Sequence, residues 1–382
     1  MKIKVKPEDF IVEEVADISF NPQGKWTILK LTKRYWNTLE LIDYISKKYR
    51  LRKEFFSRGG LKDRYSLSFQ YLSYKGDIKK NIKEKNFTLE VLGKSDHPVN
   101  LNNVKGNRFD ITIRDLGIDD VKKMEDNYDD LLKYGFPNYF DEQRFGSASH
   151  GMGFFGKFLL LGHYNGALKS LFYKYDEDNR EIKRFKEFCI ENWGNWDKIK
   201  KISPEKYRGI FEYLSKNKND FKGAIKLIDR EYLNLYLLAY QSYIFNETIK
   251  LIVLDYGEEI FIHPYKYGDF VFYKRLREFE NLKEINVPVV NNKVSLEGYT
   301  GEKIKEVLKK EGVNIKMFSL NKMRFRGVRF KTFMRRFIVF PEEFFYSTGD
   351  DDLYKGKKKV NLKFFLPSGS YATILIKRLF HT

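Results

Sequence analysis

Hydrophobic positions change their period several times along this chain, and the changes mark its elements. Residues 2–6 (Lys-Ile-Lys-Val-Lys) alternate with period two, and Asp9–Val15 does so more loosely, so both stretches read as strands. Trp26–Thr32 is rich in β-formers and follows the turn signal Asn21-Pro22-Gln23-Gly24. From Thr38 to Tyr49, Leu39, Ile42, Ile45 and Tyr49 recur at helical spacing, with Asn37 or Thr38 placed as the cap. Short strands are predicted at 67–74, 87–93 and 108–114, and a helix with an acidic start at 118–133. Strands and helices mix irregularly over 1–146, which favours α+β over regular βαβ winding.

From residue 155 the pattern turns helical, with predicted helices at 155–174, 181–192, 204–217 and 231–254. Strand-like pieces return at 259–262, 269–273 and 287–290, and another helix is predicted at 301–311. The end of the chain is β-rich at 336–340 and 360–366, and a closing helix spans 371–380. A mostly helical middle between two β-rich arms predicts an insertion, 147–327, inside a discontinuous domain made of 1–146 and 328–382.

Composition sharpens this picture. The chain has 382 residues, and its formal charge is 71 − 52 = +19. Its length suits two domains, and 17% aromatics excludes general disorder. No apolar stretch reaches the ~18 residues a membrane span needs. Met1–Pro7 lacks the apolar run of a signal peptide. A single cysteine, Cys189, gives no internal disulfide and no cysteine-rich metal site. Histidines 97, 150, 163, 263 and 381 are scattered without metal-ligand spacing. These features lead us to expect a cytoplasmic, monomeric protein with no metal, and the charge favours a polyanionic partner, nucleic acid first.

Four segments carry candidate chemistry. Gly151-Met152-Gly153-Phe154-Phe155-Gly156-Lys157 imitates a phosphate loop, but Phe158 stands where a hydroxyl would reach Mg²⁺, and no buried strand precedes it. A flexible lead into a helix is the simpler reading. In Gly59-Gly60-Leu61-Lys62-Asp63-Arg64 two glycines make a turn and one acid sits between two cations. This reads as a polar turn, or as a carboxylate kept ionised among cations and able to act as nucleophile or base. Pro137–Gly146 sets Tyr139, Phe140 and Phe145 beside Asn138, Gln143 and Arg144. Rings can stack on bases, amides read their edges and arginine pairs with phosphate, although the same segment could simply pack on a core. Leu366–Thr373 reads as strand, turn and helix start, with Ser370 as a cap.

Taken in order, the last three of these segments resemble the TruD family of tRNA pseudouridine synthases. Lys6-Pro7-Glu8-Asp9-Phe10-Ile11-Val12-Glu13-Glu14 is similar to its opening motif and Gly60-Leu61-Lys62-Asp63 to its catalytic motif. Asn138-Tyr139-Phe140 through Gln143-Arg144-Phe145-Gly146 resembles its second signature. Ala239-Tyr240-Gln241-Ser242-Tyr243-Ile244-Phe245-Asn246 is similar to a helix of its inserted domain, and Leu366–Thr373 to its last motif. Ser66, Ser68 and Asp141 depart from the family's usual Ala, Thr and Gly.

The resemblance implies a pseudouridine synthase core, a mixed, mostly antiparallel sheet flanked by helices, interrupted by a family-specific insertion. It also implies an isomerase that detaches, turns and rejoins a uridine, most often uridine 13 of tRNA, without cofactor, metal or nucleotide. By the same resemblance Asp63 is the nucleophile and Lys4 its charge partner. Phe10, Asn138, Phe140 and Tyr371 meet the substrate, Phe140 stacking on the uracil. Lys62, Arg64, Arg144, Arg335 and Arg336 are expected to bind RNA, joined on charge by Arg324, Arg326, Arg329 and Lys331. A basic RNA-binding protein without chemistry is the main rival, and it has no use for an acid among cations.

Overall fold

The computed structural model describes residues 1–146, 148, 153–175, 178–320, 325 and 327–380. Contacts divide the chain into two units, Met1–Phe136 with Val339–Thr382, and Pro137–Ile338. The borders expected from sequence, 146/147 and 327/328, both fall inside the second unit.

The first unit contributes β1 (Phe10–Ala16), β2 (Trp26–Lys33), α1 (Thr38–Lys48), β3 (Phe56–Arg58), β4 (Leu67–Lys75), β5 (Ile82–Glu84), β6 (Phe87–Ser95), β7 (Val104–Leu116) and α2 (Ile118–Tyr134). It is completed by strands Glu342–Asp350 and Lys358–Pro367 and by helix Ala372–Phe380. Among the described residues its strands form one sheet in the order Glu342–Asp350, Lys358–Pro367, β7, β1, β4, β2, β6, β5, with β3 also on β4. β1 and β4 run parallel and the other pairs antiparallel, which is the mixed sheet expected.

Alternation places the core. Leu29 and Leu31 of β2 pair with Leu72 and Gln70 of β4. Leu41, Ile42 and Ile45 of α1 pack on this layer with Phe56, Phe87 and Leu89. Asn37 starts α1 by accepting a hydrogen bond from the Glu40 amide. The same alternation puts Lys33, two residues beyond Leu31, on the buried side.

Three expectations change. Residues 2–6 are not a strand: Lys2 alone bridges to Arg114, and Lys4 adopts a left-handed φ of +60°. That conformation costs a lysine about 1–2 kcal/mol. The chain then turns through Pro7–Asp9, and Asp9 is pinned by two 2.9 Å hydrogen bonds from Arg114. Strand Glu342–Asp350 was not predicted, because its side chains are mostly exposed and carry no apolar alternation. The Ser370 cap is also displaced by one residue, since the Tyr371 carbonyl accepts the first helical amides, those of Ile374 and Leu375.

The second unit is built around helix Arg230–Tyr256, capped by Asp229. Nearly every residue from Ala239 to Ile249 is buried, as befits a central helix touched on all sides. The helix predicted at 155–174 breaks at Gly162 (φ +76°) into Phe155–Leu160 and Tyr164–Ser170. Helices Arg180–Glu191, Glu205–Lys216 and Gly298–Lys310 and hairpin Phe261–Tyr265/Gly268–Phe272 fall close to the predicted positions. Strand Met334–Arg336 pairs with Asn286–Pro288.

Candidate active site

In the first unit, loop 59–66 brings Asp63 to Lys4. The Lys4 ammonium donates to Asp63 Oδ2 at 2.7 Å, both side chains keeping part of their surface open. The left-handed turn at Lys4 belongs to this placement, an instance of backbone strain held by its surroundings. The ammonium also lies 4.4 Å from the centroid of the Phe10 ring, so cation–π attraction holds it on its other side. Phe10 is thus buried beneath Lys4 and edge-on to Phe109.

The loop itself is held from several elements at once. Lys62 N–H donates to Thr38 Oγ1 (3.0 Å), whose hydroxyl donates to Gln70 Oε1 (2.8 Å). Ser66 Oγ and Lys33 Nζ both donate to the Asp63 carbonyl, at 3.1 and 2.7 Å. The Lys62 side chain, expected to face RNA, turns inward to Glu14 Oε2 at 2.8 Å; Glu14 is fully enclosed and also accepts from Tyr71 N–H. Gly59 is required by close approach and not by a left-handed turn, because a Cβ there would lie 2.1 Å from Val104 Cγ2. Tyr371 stands half-buried before helix Ala372–Phe380.

In the second unit, Asn138, Phe140, Arg144 and Arg335 come together. Arg335 donates to the Asn138 backbone oxygen (2.9 Å) and to its Oδ1 (2.8 Å). Asn138 Nδ2 donates to the Arg336 carbonyl at 3.0 Å. A guanidinium only donates and a backbone carbonyl only accepts, so the amide has one possible orientation. One Nδ2 proton and one Oδ1 lone pair remain on it.

Phe140 is buried, with the Arg335 guanidinium carbon 3.9 Å from its ring centroid, Arg144 at 5.6 Å and Phe245 edge-on. A base stacking on the face that Arg335 covers would have to displace that guanidinium. Arg335, expected on an RNA face, is therefore interior, whereas Arg336, Arg329 and Lys331 are exposed. Arg64 is exposed and pairs with Glu40. Arg324 and Arg326 lie outside the described residues, as do Gly151 and Met152 of the phosphate-loop imitation. Lys157 of that segment pairs with Glu311 at 2.8 Å.

Sequence reasoning passed over Asn246 and Lys33. Asn246 accepts from the Phe140 amide and donates to the Phe140 carbonyl, each at 2.8 Å, fixing its backbone as a neighbouring strand would. Gln241, one turn earlier, donates to the carbonyls of Val290 and Lys331. These two amides explain why the helix motif carries polar residues among rings.

Comparison with known proteins places the chain in a family. The family model for tRNA pseudouridine synthase D (TruD) matches residues 1–379. The chain is 37% identical to the Methanocaldococcus jannaschii protein named "Probable tRNA pseudouridine synthase D 2", over all of this chain and 92% of that one. It is 28% identical to tRNA pseudouridine synthase D of Aquifex aeolicus, covering all of this chain and 98% of the other. The crystal structure of the Methanosarcina mazei protein named "Putative tRNA pseudouridine synthase D (TruD)" superposes with a TM-score of 0.67 at 26% identity, over 99% of this chain and 93% of that one. The chain belongs to the TruD family of tRNA pseudouridine synthases, isomerases that act on tRNA.

Proposed function

We propose that this protein converts uridine 13 of tRNA to pseudouridine with Asp63 as nucleophile and without a cofactor. The observation that carries the proposal is the 2.7 Å Lys4–Asp63 pair on a loop whose backbone is anchored from β2, α1 and its own Ser66. A nucleophile needs its charge supported and its position fixed, and this carboxylate has both.

The reaction breaks the N1–C1′ bond, forms C5–C1′, removes the proton from C5 and leaves one on N1, so no atom is gained or lost. Asp63 attacks either C1′ or the uracil ring, holding one fragment while the base turns. Half a turn about the N3–C6 axis exchanges N1 with C5 and O2 with O4, leaving N3–H in place. The edge O2, N3–H, O4 is therefore the same before and after. The remaining donor and acceptor of Asn138 fit that edge in both states, and a cytosine, lacking N3–H, would be refused. Phe140 would stack on the base, Arg335 moving aside where the two compete. Arg64, Arg329, Lys331 and Arg336 would meet phosphates. Flipping the nucleotide costs roughly a few kcal/mol, which stacking at roughly 1–3 kcal/mol per base and backbone contacts offset.

The test is to incubate the protein with an unmodified tRNA transcript and map pseudouridine chemically. One product at position 13, absent from a transcript carrying cytidine there, is expected. Product at another position would remove the assignment of the target. No product in any tRNA would remove the activity.

A further inference from the structure

Lys33 is a large, fully enclosed side chain at the end of β2. Its ammonium donates to three main-chain oxygens, Trp36 (2.8 Å), Lys62 (3.2 Å) and Asp63 (2.7 Å). No carboxylate pairs with it among the described residues. A buried, unpaired ammonium is expensive, and a stability role alone would be served better by an apolar side chain. Three acceptors match the three protons of an ammonium, whereas a neutral amine offers two. Two of the three oxygens belong to Asp63 and the residue before it.

We propose that Lys33 is the positioning residue of the Asp63 loop, fixing its carbonyls so that the Asp63 carboxylate meets Lys4 and the substrate. This rests on the reading of Asp63 given above. Burial pushes the Lys33 pKa down to about 7, the negative charge of Asp63 opposing the shift and the positive charge of Lys62 adding to it. The two charged side chains that act on Lys33 are themselves paired, Asp63 with Lys4 and Lys62 with Glu14. Loss of the proton would leave two N–H donors for three carbonyls, two of them in the loop, so the hold on the loop loosens as pH rises through neutrality.

The experiment compares wild type with Lys33→Met, which keeps the length and removes the charge. Single-turnover pseudouridine formation should fall about 10–100-fold, as for a misplaced reacting group, with tRNA affinity within twofold. Wild type should lose rate as pH rises above about 7, and that limb should be missing from Lys33→Met. A rate within twofold of wild type, or an unchanged limb, would overturn the proposal. Should Lys33→Met fail to fold, amide exchange of the wild type decides. Protection of the Lys62 amide, corrected for intrinsic rate, should drop between pH 6 and 8.5 while that of α1 holds. Equal protection at both pH values would overturn it. Exchange needs no turnover, so it judges the loop even if wild type forms no pseudouridine.

Discussion

Asp63 owes its placement to a few side chains, and each can be removed singly. Lys4 touches the carboxylate and Phe10 and bonds to little else that is described. Lys4→Met should therefore slow single-turnover isomerisation about 10²-fold or more, in the range seen when one charge-stabilising donor is lost. Its tRNA Kd should change by less than about threefold, and a full-speed Lys4→Met would deny it the part of charge partner. Asn246 supports Phe140 through main-chain bonds only. Asn246→Leu strands a buried N–H and a buried C=O, and should cost about 2–5 kcal/mol in denaturant unfolding. An unchanged midpoint would show that the Phe140 backbone needs no such partner.

At the scale of elements, Arg114 on β7 ties together chain segments far apart in sequence. It bonds Asp9 after the N-terminal turn and both Asp351 and Asp352 beyond strand Glu342–Asp350. Burial alone would raise the Asp351 carboxyl, but amides of Asp115 and Leu353 and the Arg114 guanidinium hold it below its ordinary value. A carboxylate lowered in the folded state adds stability above its unfolded pKa, about 3.9, and that stability is lost as pH falls further. Acid unfolding should accordingly begin below about pH 4. Arg114→Met should lose about 3–5 kcal/mol at pH 7, because it leaves buried carboxylates unpaired, and urea titrations at pH 7 and pH 3.5 would measure both effects.

Several elements were legible: α1, β4, α2 and helix Arg230–Tyr256 fall within two residues of prediction, α1 on its apolar period and the last helix on a long stretch rich in apolar residues and free of glycine and proline. Residues 2–6 misled because alternation alone cannot reveal a tertiary pull, here the Lys4–Asp63 pair and the Arg114 anchor. Asp63, Lys4 and Asn138 were named through resemblance. Lys62 and Arg335 were assigned outward on charge, and both turned to internal acceptors. Lys33 did leave a signal, a lysine in phase with Leu29 and Leu31 on a buried face. A charge in an apolar phase asks what it bonds to.

For the molecule as a whole, +19 is a statement about partners. Binding carried by phosphate contacts releases counterions, so raising monovalent salt from 50 to 200 mM should weaken tRNA affinity by at least about tenfold. Affinity indifferent to salt would mean that Arg329, Lys331 and Arg336 do not meet the RNA backbone. That electrostatic hold is separate from the chemistry proposed for Asp63, and one substitution divides them. Asp63→Asn keeps the size of the side chain and removes its nucleophilic charge. Under single-turnover conditions with saturating tRNA, it should form no measurable pseudouridine while binding tRNA within a few-fold of wild type. Pseudouridine appearing at the wild-type rate would place the nucleophile elsewhere in the chain.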